Sequence, residues 1–336
     1  MRITRETMMK IVRDTVAQRT RSDRGVVAIY LCGSLLRDEF LLGGTADIDL
    51  VILHADTIAA EREIVPLTDD VHLDIAHHMH KDYRQARSLR VHPWLGPTLF
   101  GCQILYDPQH FMDFTQASVR GQFDRADYVL QRAGKQFEHA RQMWSSLHTN
   151  PVEPGEKEVS LYLRAIEHAI NAVAVLSGPP LTERRFLLNF SGRAEAVGRP
   201  GLYAGLLGML GGPHVDEETL KAWVPVWASA YAAIPASTAP ARLHISRRSY
   251  YQRAFESVLE KQPLAILWPM LHTWTQAISL LPEDSTARQG WRQAFEYLGL
   301  LGRPFNERVQ AFDAYLDLIE ETLENWGREN GANFES

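Results

Sequence analysis

The chain is short of cysteine, of long apolar runs and of excess positive charge, and each shortage excludes a class of protein. Only Cys32 and Cys102 occur among 336 residues. Two are too few for a disulfide framework, and both sit in apolar runs, so buried free thiols are expected. No stretch of 18 apolar residues appears, and the longest apolar pieces, such as that around Ala172–Leu176, are too short to cross a bilayer. The opening Met-Arg-Ile-Thr-Arg-Glu-Thr has no apolar leader core, so the expectation is a cytoplasmic protein without membrane partners. Lys and Arg total 35 against 41 Asp and Glu, a net charge of −6. Proteins that live by neutralising nucleic-acid phosphate usually carry a basic excess, so nucleic acid is not an expected partner. Internal repeats and low-complexity tracts are absent as well.

What is present is an ordinary globular composition, 45% hydrophobic and 23% charged, with length for about two domains. The negative charge is concentrated in Leu281–Ser336, which holds 11 acids and 5 arginines; a solvated helix face accounts for it. Helical spacing over Thr4–Gln18 predicts an amphipathic opening helix. Short apolar β-branched runs predict strands at Val26–Leu31, Ile48–Leu53 and Gln103–Tyr106. Glu63–Leu67 and Val71–Ala76 flank the polar Thr68-Asp69-Asp70 and read as a hairpin. Asp56–Arg62 reads as a short helix capped by Asp56.

Beyond Gln109 the pattern becomes helical, in Phe123–Leu147, Lys157–Leu176, Thr182–Gly192, Leu202–Leu210, Glu217–Ala233, Ser249–Leu280, Thr286–Leu301 and Phe305–Trp326. Pro263 and Pro269 are expected to break the longest of these. Asn150–Gly155 and Pro235–Pro240 read as linkers. The fold class is therefore α+β, a mixed sheet with helices over residues 1–115 followed by an all-helical domain over 116–336, with a subdivision near 235–240.

The stretch Leu31-Cys32-Gly33-Ser34, followed by Thr45-Ala46-Asp47-Ile48-Asp49-Leu50, carries the most chemistry. Residues two apart on a strand share a face, so Asp47 and Asp49 converge while Ile48 and Leu50 enter the core. Two carboxylates so close repel unless a cation lies between them, and a hard divalent ion suits oxygen ligands. The alternative is a pair of exposed strand-end aspartates that bind nothing. Gly33-Ser34 follows a strand, where glycine permits close backbone approach and amides and a hydroxyl can hold phosphate oxygens. Asp74, in Leu73-Asp74-Ile75, is an acid inside an apolar strand, costly to bury without a metal or a partner.

Together these residues resemble the DNA polymerase β-like nucleotidyltransferase superfamily, whose signature is Gly-Ser, a spacer, Asp-x-Asp and a later acid in an apolar strand. The match covers residues 26 to 107. The helical remainder is similar, in layout only, to the C-terminal bundles of small-molecule members such as aminoglycoside and lincosamide nucleotidyltransferases. The chain departs from many members in having Asp38-Glu39 after Arg37, where a glycine is common.

The resemblance implies that Asp47, Asp49 and Asp74 are catalytic and hold two Mg²⁺ ions. Asp74 would also take the proton from an acceptor hydroxyl. Gly33, Ser34 and Arg37 would contact the phosphates of an NTP, expected to be ATP. The implied reaction is transfer of AMP to a small-molecule hydroxyl with release of pyrophosphate. Alternatives are an AMP-transferring enzyme that modifies proteins, a silent NTP-binding module and, least favoured because of charge, a tRNA- or DNA-end transferase.

His77 and His78 fall on opposite strand faces and cannot chelate together, whereas His78 can share a face with Asp74 or His80. Arg164, Glu167, His168 and Asn171 form one helix stripe, either acceptor contacts or a solvated surface. Tyr162 is a stacking or core aromatic. The glycines at 205–212, the helical tryptophans and the pairs Arg184-Arg185 and Arg247-Arg248 read as packing or as isolated basic spots.

Overall fold

The computed structural model describes residues 3–149 and 153–334; three residues of the expected linker, Asn150 to Val152, lie outside them. The chain folds as two compact units, one of Met1–Phe123 with Pro240–Ala254, the other of Asp124–Ala239 with Phe255–Ser336.

The first unit is built on a five-stranded mixed sheet of β1 (Val26–Cys32), β2 (Ala46–His54), β3 (Arg62–Pro66), β4 (Val71–Met79) and β5 (Gln103–Tyr106), in the order β3-β4-β2-β1-β5. Only β2 and β4 run parallel. Strand alternation sends Ile48, Leu50, Ile52, Leu73 and Ile75 to one face, against Met8 and Val12 of α1 (Arg5–Ser22). Thr4 caps that helix, its hydroxyl accepting from the Thr7 amide at 3.2 Å. The opposite face buries Ala28, Tyr30, Val51 and Leu53 under α2 (Ala86–Arg90), α3 (Leu95–Gly101) and α4 (Phe111–Arg120) through Leu89, Leu99, Met112 and Val119. Asp47, Asp49 and Asp74 share the parity of this second face.

The hairpin expected around Thr68–Asp70 is present as the antiparallel β3–β4 pair. The short helix expected over Asp56–Arg62 is not. Residues 55–61 form a loop, almost wholly exposed, and Arg62 opens β3 opposite Ala76. A helix of seven residues with no apolar face to bury lacks the tertiary support that so short an element needs.

The second unit is helical, with α5 (Ala126–Thr149), α6 (Glu156–Ala174), α7 (Phe186–Ala196), α8 (Gly201–Met209) and α9 (Glu217–Ala232), then α10 (Arg248–Leu259), α11 (Leu267–Ser279), α12 (Ala287–Tyr297) and α13 (Arg303–Glu329). The unit boundary falls inside α10, so its first turns count with the sheet unit. The long helical stretch expected after Ser249 is broken at Pro263. Pro269, the third residue of α11, sits in a first turn whose amides have no helical partner to lose. Tyr162 is core: its ring meets Phe305 and Phe312, and its hydroxyl donates to the Met209 carbonyl at 3.1 Å. Trp227, Trp268, Trp274 and Trp291 are buried, as packing requires.

Candidate functional site

Asp47 and Asp49 lie near the start of β2, and the parallel register sets Asp49 beside Asp74 and Asp47 beside His72. Three carboxylates thus gather on one face of two neighbouring strands. Gly33, directly after β1, makes room for them. Its φ is +78°, and a Cβ there would lie 1.8 Å from Asp49 Oδ2, so no other residue leaves that carboxylate where it is. Ser34, partly buried, opens a single turn over Ser34–Leu36. Arg37 closes that turn and is exposed, and its guanidinium makes none of the carboxylate contacts that follow.

The cations that meet the acids are Arg62 and Arg247. Arg62 grips Asp74 with two bonds, Nε donating to Oδ1 at 2.5 Å and Nη2 to Oδ2 at 2.8 Å. Arg247 spans two acids, donating from Nη1 to Asp74 Oδ2 at 2.7 Å and from Nη2 to Asp47 Oδ2 at 2.6 Å. Both pairs involving Arg247 are buried. The Arg247 guanidinium lies 5.0 Å from the Tyr250 ring centre. Bonding around it is incomplete, because Asp47 Oδ1, Arg247 Nε and both ring nitrogens of His72 find no hydrogen-bond partner among the described residues. His72 Nδ1 stands 3.7 Å from Asp47 Oδ1, beyond bonding range.

Titration follows from these surroundings. Burial, then the charges of Asp47 and Asp74, push the Asp49 carboxyl up to about 7. Burial also acts to raise Asp74, but Arg62 and Arg247 outweigh it and hold that carboxyl below its ordinary value. Burial pushes the His72 imidazole down. The cluster thus sets a protonatable Asp49 beside an Asp74 that two guanidiniums keep ionised.

The donor set fits a hard divalent cation in chemistry: the side chains offer only carboxylate oxygens, and Asp47 Oδ1 is buried and unpartnered. Among the described residues, however, no three acids, histidines or cysteines are disposed as a ready metal cluster. Asp47 and Asp74 are turned onto the guanidinium between them.

The histidines separate as strand parity requires. His77 Nδ1 pairs with His54 Nε2 at 2.8 Å on the α1 side of the sheet. His78, on the acid side, bonds the Tyr83 hydroxyl, which in turn bonds Tyr30 at 2.8 Å. His80 packs on Phe111. The helical stripe is divided too. His168 bonds Gln136 Oε1, Asn171 accepts from the Leu181 amide at 2.8 Å, and Arg164 is exposed. Asn171 is therefore a structural clamp.

Reading along the sequence missed Arg62 and Arg247. Arg62 is hidden by its place at the end of the expected helix, although a basic residue diagonally across a hairpin from Asp74 is a usable signal. Arg247 is 200 positions from Asp47, and only the basic pair followed by Tyr250-Tyr251 marked it. The chain matches no model of a known protein family and no curated protein.

Proposed function

We propose that the chain is a Mg²⁺-dependent nucleotidyltransferase that moves a nucleoside monophosphate, AMP in the first instance, from an NTP to a hydroxyl of a small molecule and releases pyrophosphate. One observation carries this reading. Asp47 and Asp49 alternate with core residues on β2, Asp74 stands level with Asp49 on the parallel β4, and Gly33 leaves space only a glycine can leave.

In this account Asp47, Asp49 and Asp74 hold the divalent cation, which when bound supplies charge for the triphosphate and the leaving pyrophosphate. Gly33 brings the start of the Ser34 turn against the carboxylates, where Ser34 can donate to phosphate oxygens. Asp74 accepts the proton of the acceptor hydroxyl. Arg62 fixes both oxygens of Asp74 from β3 and keeps it ionised. The net charge of −6 and the absence of a basic groove motif in the sequence support a small acceptor over a polynucleotide.

One observation favours a second reading, a nucleotide-binding module without catalysis: two guanidiniums already neutralise Asp47 and Asp74. Incubation with α-phosphate-labelled NTPs and Mg²⁺ separates the readings. Label in small molecules of a metabolite extract, lost in Asp49→Asn, supports the proposal. Label in protein points to a protein-modifying transferase, label in RNA to an end transferase, and bound but untransferred nucleotide to the silent module.

A further inference from the structure

We propose that Arg247 is a built-in counter-cation that a divalent ion must displace, so that residues 240–254 close the carboxylate site without metal and are released from it when metal binds. This rests on the reading of Asp47, Asp49 and Asp74 as the metal ligands.

The geometry makes the two cations alternatives. Arg247 uses Asp47 Oδ2 and Asp74 Oδ2 at 2.6 and 2.7 Å. A Mg²⁺ or Mn²⁺ ion binds carboxylate oxygens at about 2.0–2.2 Å and cannot bridge the same two acids while the guanidinium lies between them. Charge gives the same exchange. With all three acids ionised around it, one divalent ion and Arg62 balance their charge, so Arg247 becomes surplus when the ion enters.

The two arginines differ in how they are held. Arg62 belongs to the sheet, lies in β3 beside its partner strand and grips Asp74 through both oxygens. Arg247 arrives on a segment distant in sequence. That segment is tied to the sheet unit by Ser249 donating to the Asp69 carbonyl at 2.7 Å, by an Arg253–Asp70 ion pair at 2.8 Å and by Thr45 donating to the Tyr250 carbonyl at 3.4 Å. The Ser249 and Arg253 ties lie at the surface. Gly43, with φ +60°, lets the chain press against the Arg253 carbonyl, where a Cβ would come within 2.1 Å.

The network around Arg247 is also incomplete, with Arg247 Nε and Asp47 Oδ1 buried and unbonded. A buried ion pair with unmet partners is weakly favourable at best. Yet withdrawing one member alone leaves buried charge, which is costly. Departure of Arg247 is therefore linked to arrival of a replacement cation.

Mn²⁺ binding to the full chain, read by electron paramagnetic resonance, tests this without reference to turnover. Arg247→Gln is expected to bind Mn²⁺ at least tenfold more tightly than the wild type, Arg247→Lys to fall between them, and Asp47→Asn to lose the site. In the wild type, saturating Mn²⁺ is expected to raise amide hydrogen exchange over residues 245–251. Equal or weaker Mn²⁺ binding by Arg247→Gln, with Asp47→Asn still abolishing it, overturns the displacement and leaves the metal site standing. Failure of every protein, wild type included, to bind Mn²⁺ overturns both. Should Arg247→Gln not fold, unchanged or slowed exchange over 245–251 in Mn²⁺-saturated wild type is the overturning result.

Discussion

Gly33 and Asp49 show how closely the candidate site depends on single residues. A methyl group at Gly33 would collide with Asp49 Oδ2 and sit at a φ that side chains rarely adopt. Gly33→Ala is expected to cost about 2 kcal/mol or more in urea denaturation. Asp49 makes a pH-dependent contribution of known sign. Its carboxyl is raised to about 7 in the fold, so the native state keeps a proton that the unfolded chain releases near pH 4. Stability from this group is therefore lost as pH rises from about 4 to 7 and does not change beyond. Asp49→Asn should raise stability by about 1–3 kcal/mol at pH 8 and have little effect at pH 4. Asp74 behaves oppositely: held low by Arg62 and Arg247, it stabilises above the unfolded carboxylate range and loses that contribution as pH falls through its own lowered value. Of these residues, Gly33, Asp47, Asp49 and Asp74 were legible in the sequence because strand parity and a Gly-Ser turn are local patterns.

Among the elements, the strands were legible and their junctions less so. β1, β2, β4 and β5 announce themselves through short apolar runs, and the two-residue period correctly divides His77 from His78. The loop at residues 55–61 was misread because its composition suits a helix, while nothing nearby gives such a helix a face to bury. The consequence is that Arg62 belongs to β3 and holds Asp74. Its side chain is partly open to solvent, which tempers the pair. Arg62→Gln should destabilise by about 1–2 kcal/mol, with a smaller loss in an Asp74→Asn background, measured as a double-mutant cycle. At α1, removal of the cap by Thr4→Ala should cost about 1 kcal/mol. That change lies on the α1 side of the sheet, the face opposite the acids, and should leave Mn²⁺ binding untouched, a check that stability losses alone do not mimic site effects.

For the whole molecule, apolar runs and helical periodicity along the chain indicated an α+β protein with a largely helical C-terminal part, and the structure has that form. Composition could not reveal that residues 240–254 fold with the sheet unit, because a contact between positions 47 and 247 depends on the complete chain path. The acidity of the last 56 residues proves largely an α13 property. Arg141 meets Asp313 at 2.6 Å and also pairs with Asp317 and Glu320, while Arg199 meets Glu321 at 2.6 Å. These pairs are partly or wholly open to solvent, as a solvated helix face should be. If the chain transfers nucleotides, Asp47→Asn and Asp49→Asn should each lower label transfer by about 10³-fold or more, a loss of about 4 kcal/mol in transition-state stabilisation. Anomalous diffraction at the manganese edge, from crystals of the full chain soaked with Mn²⁺ and a non-hydrolysable ATP analogue, decides whether these acids hold metal and nucleotide together. A manganese peak bonded to Asp47 and Asp49, with the triphosphate against Gly33-Ser34, is the expected result. No peak at these acids, with Arg247 still spanning Asp47 and Asp74 beside bound or absent nucleotide, would contradict it.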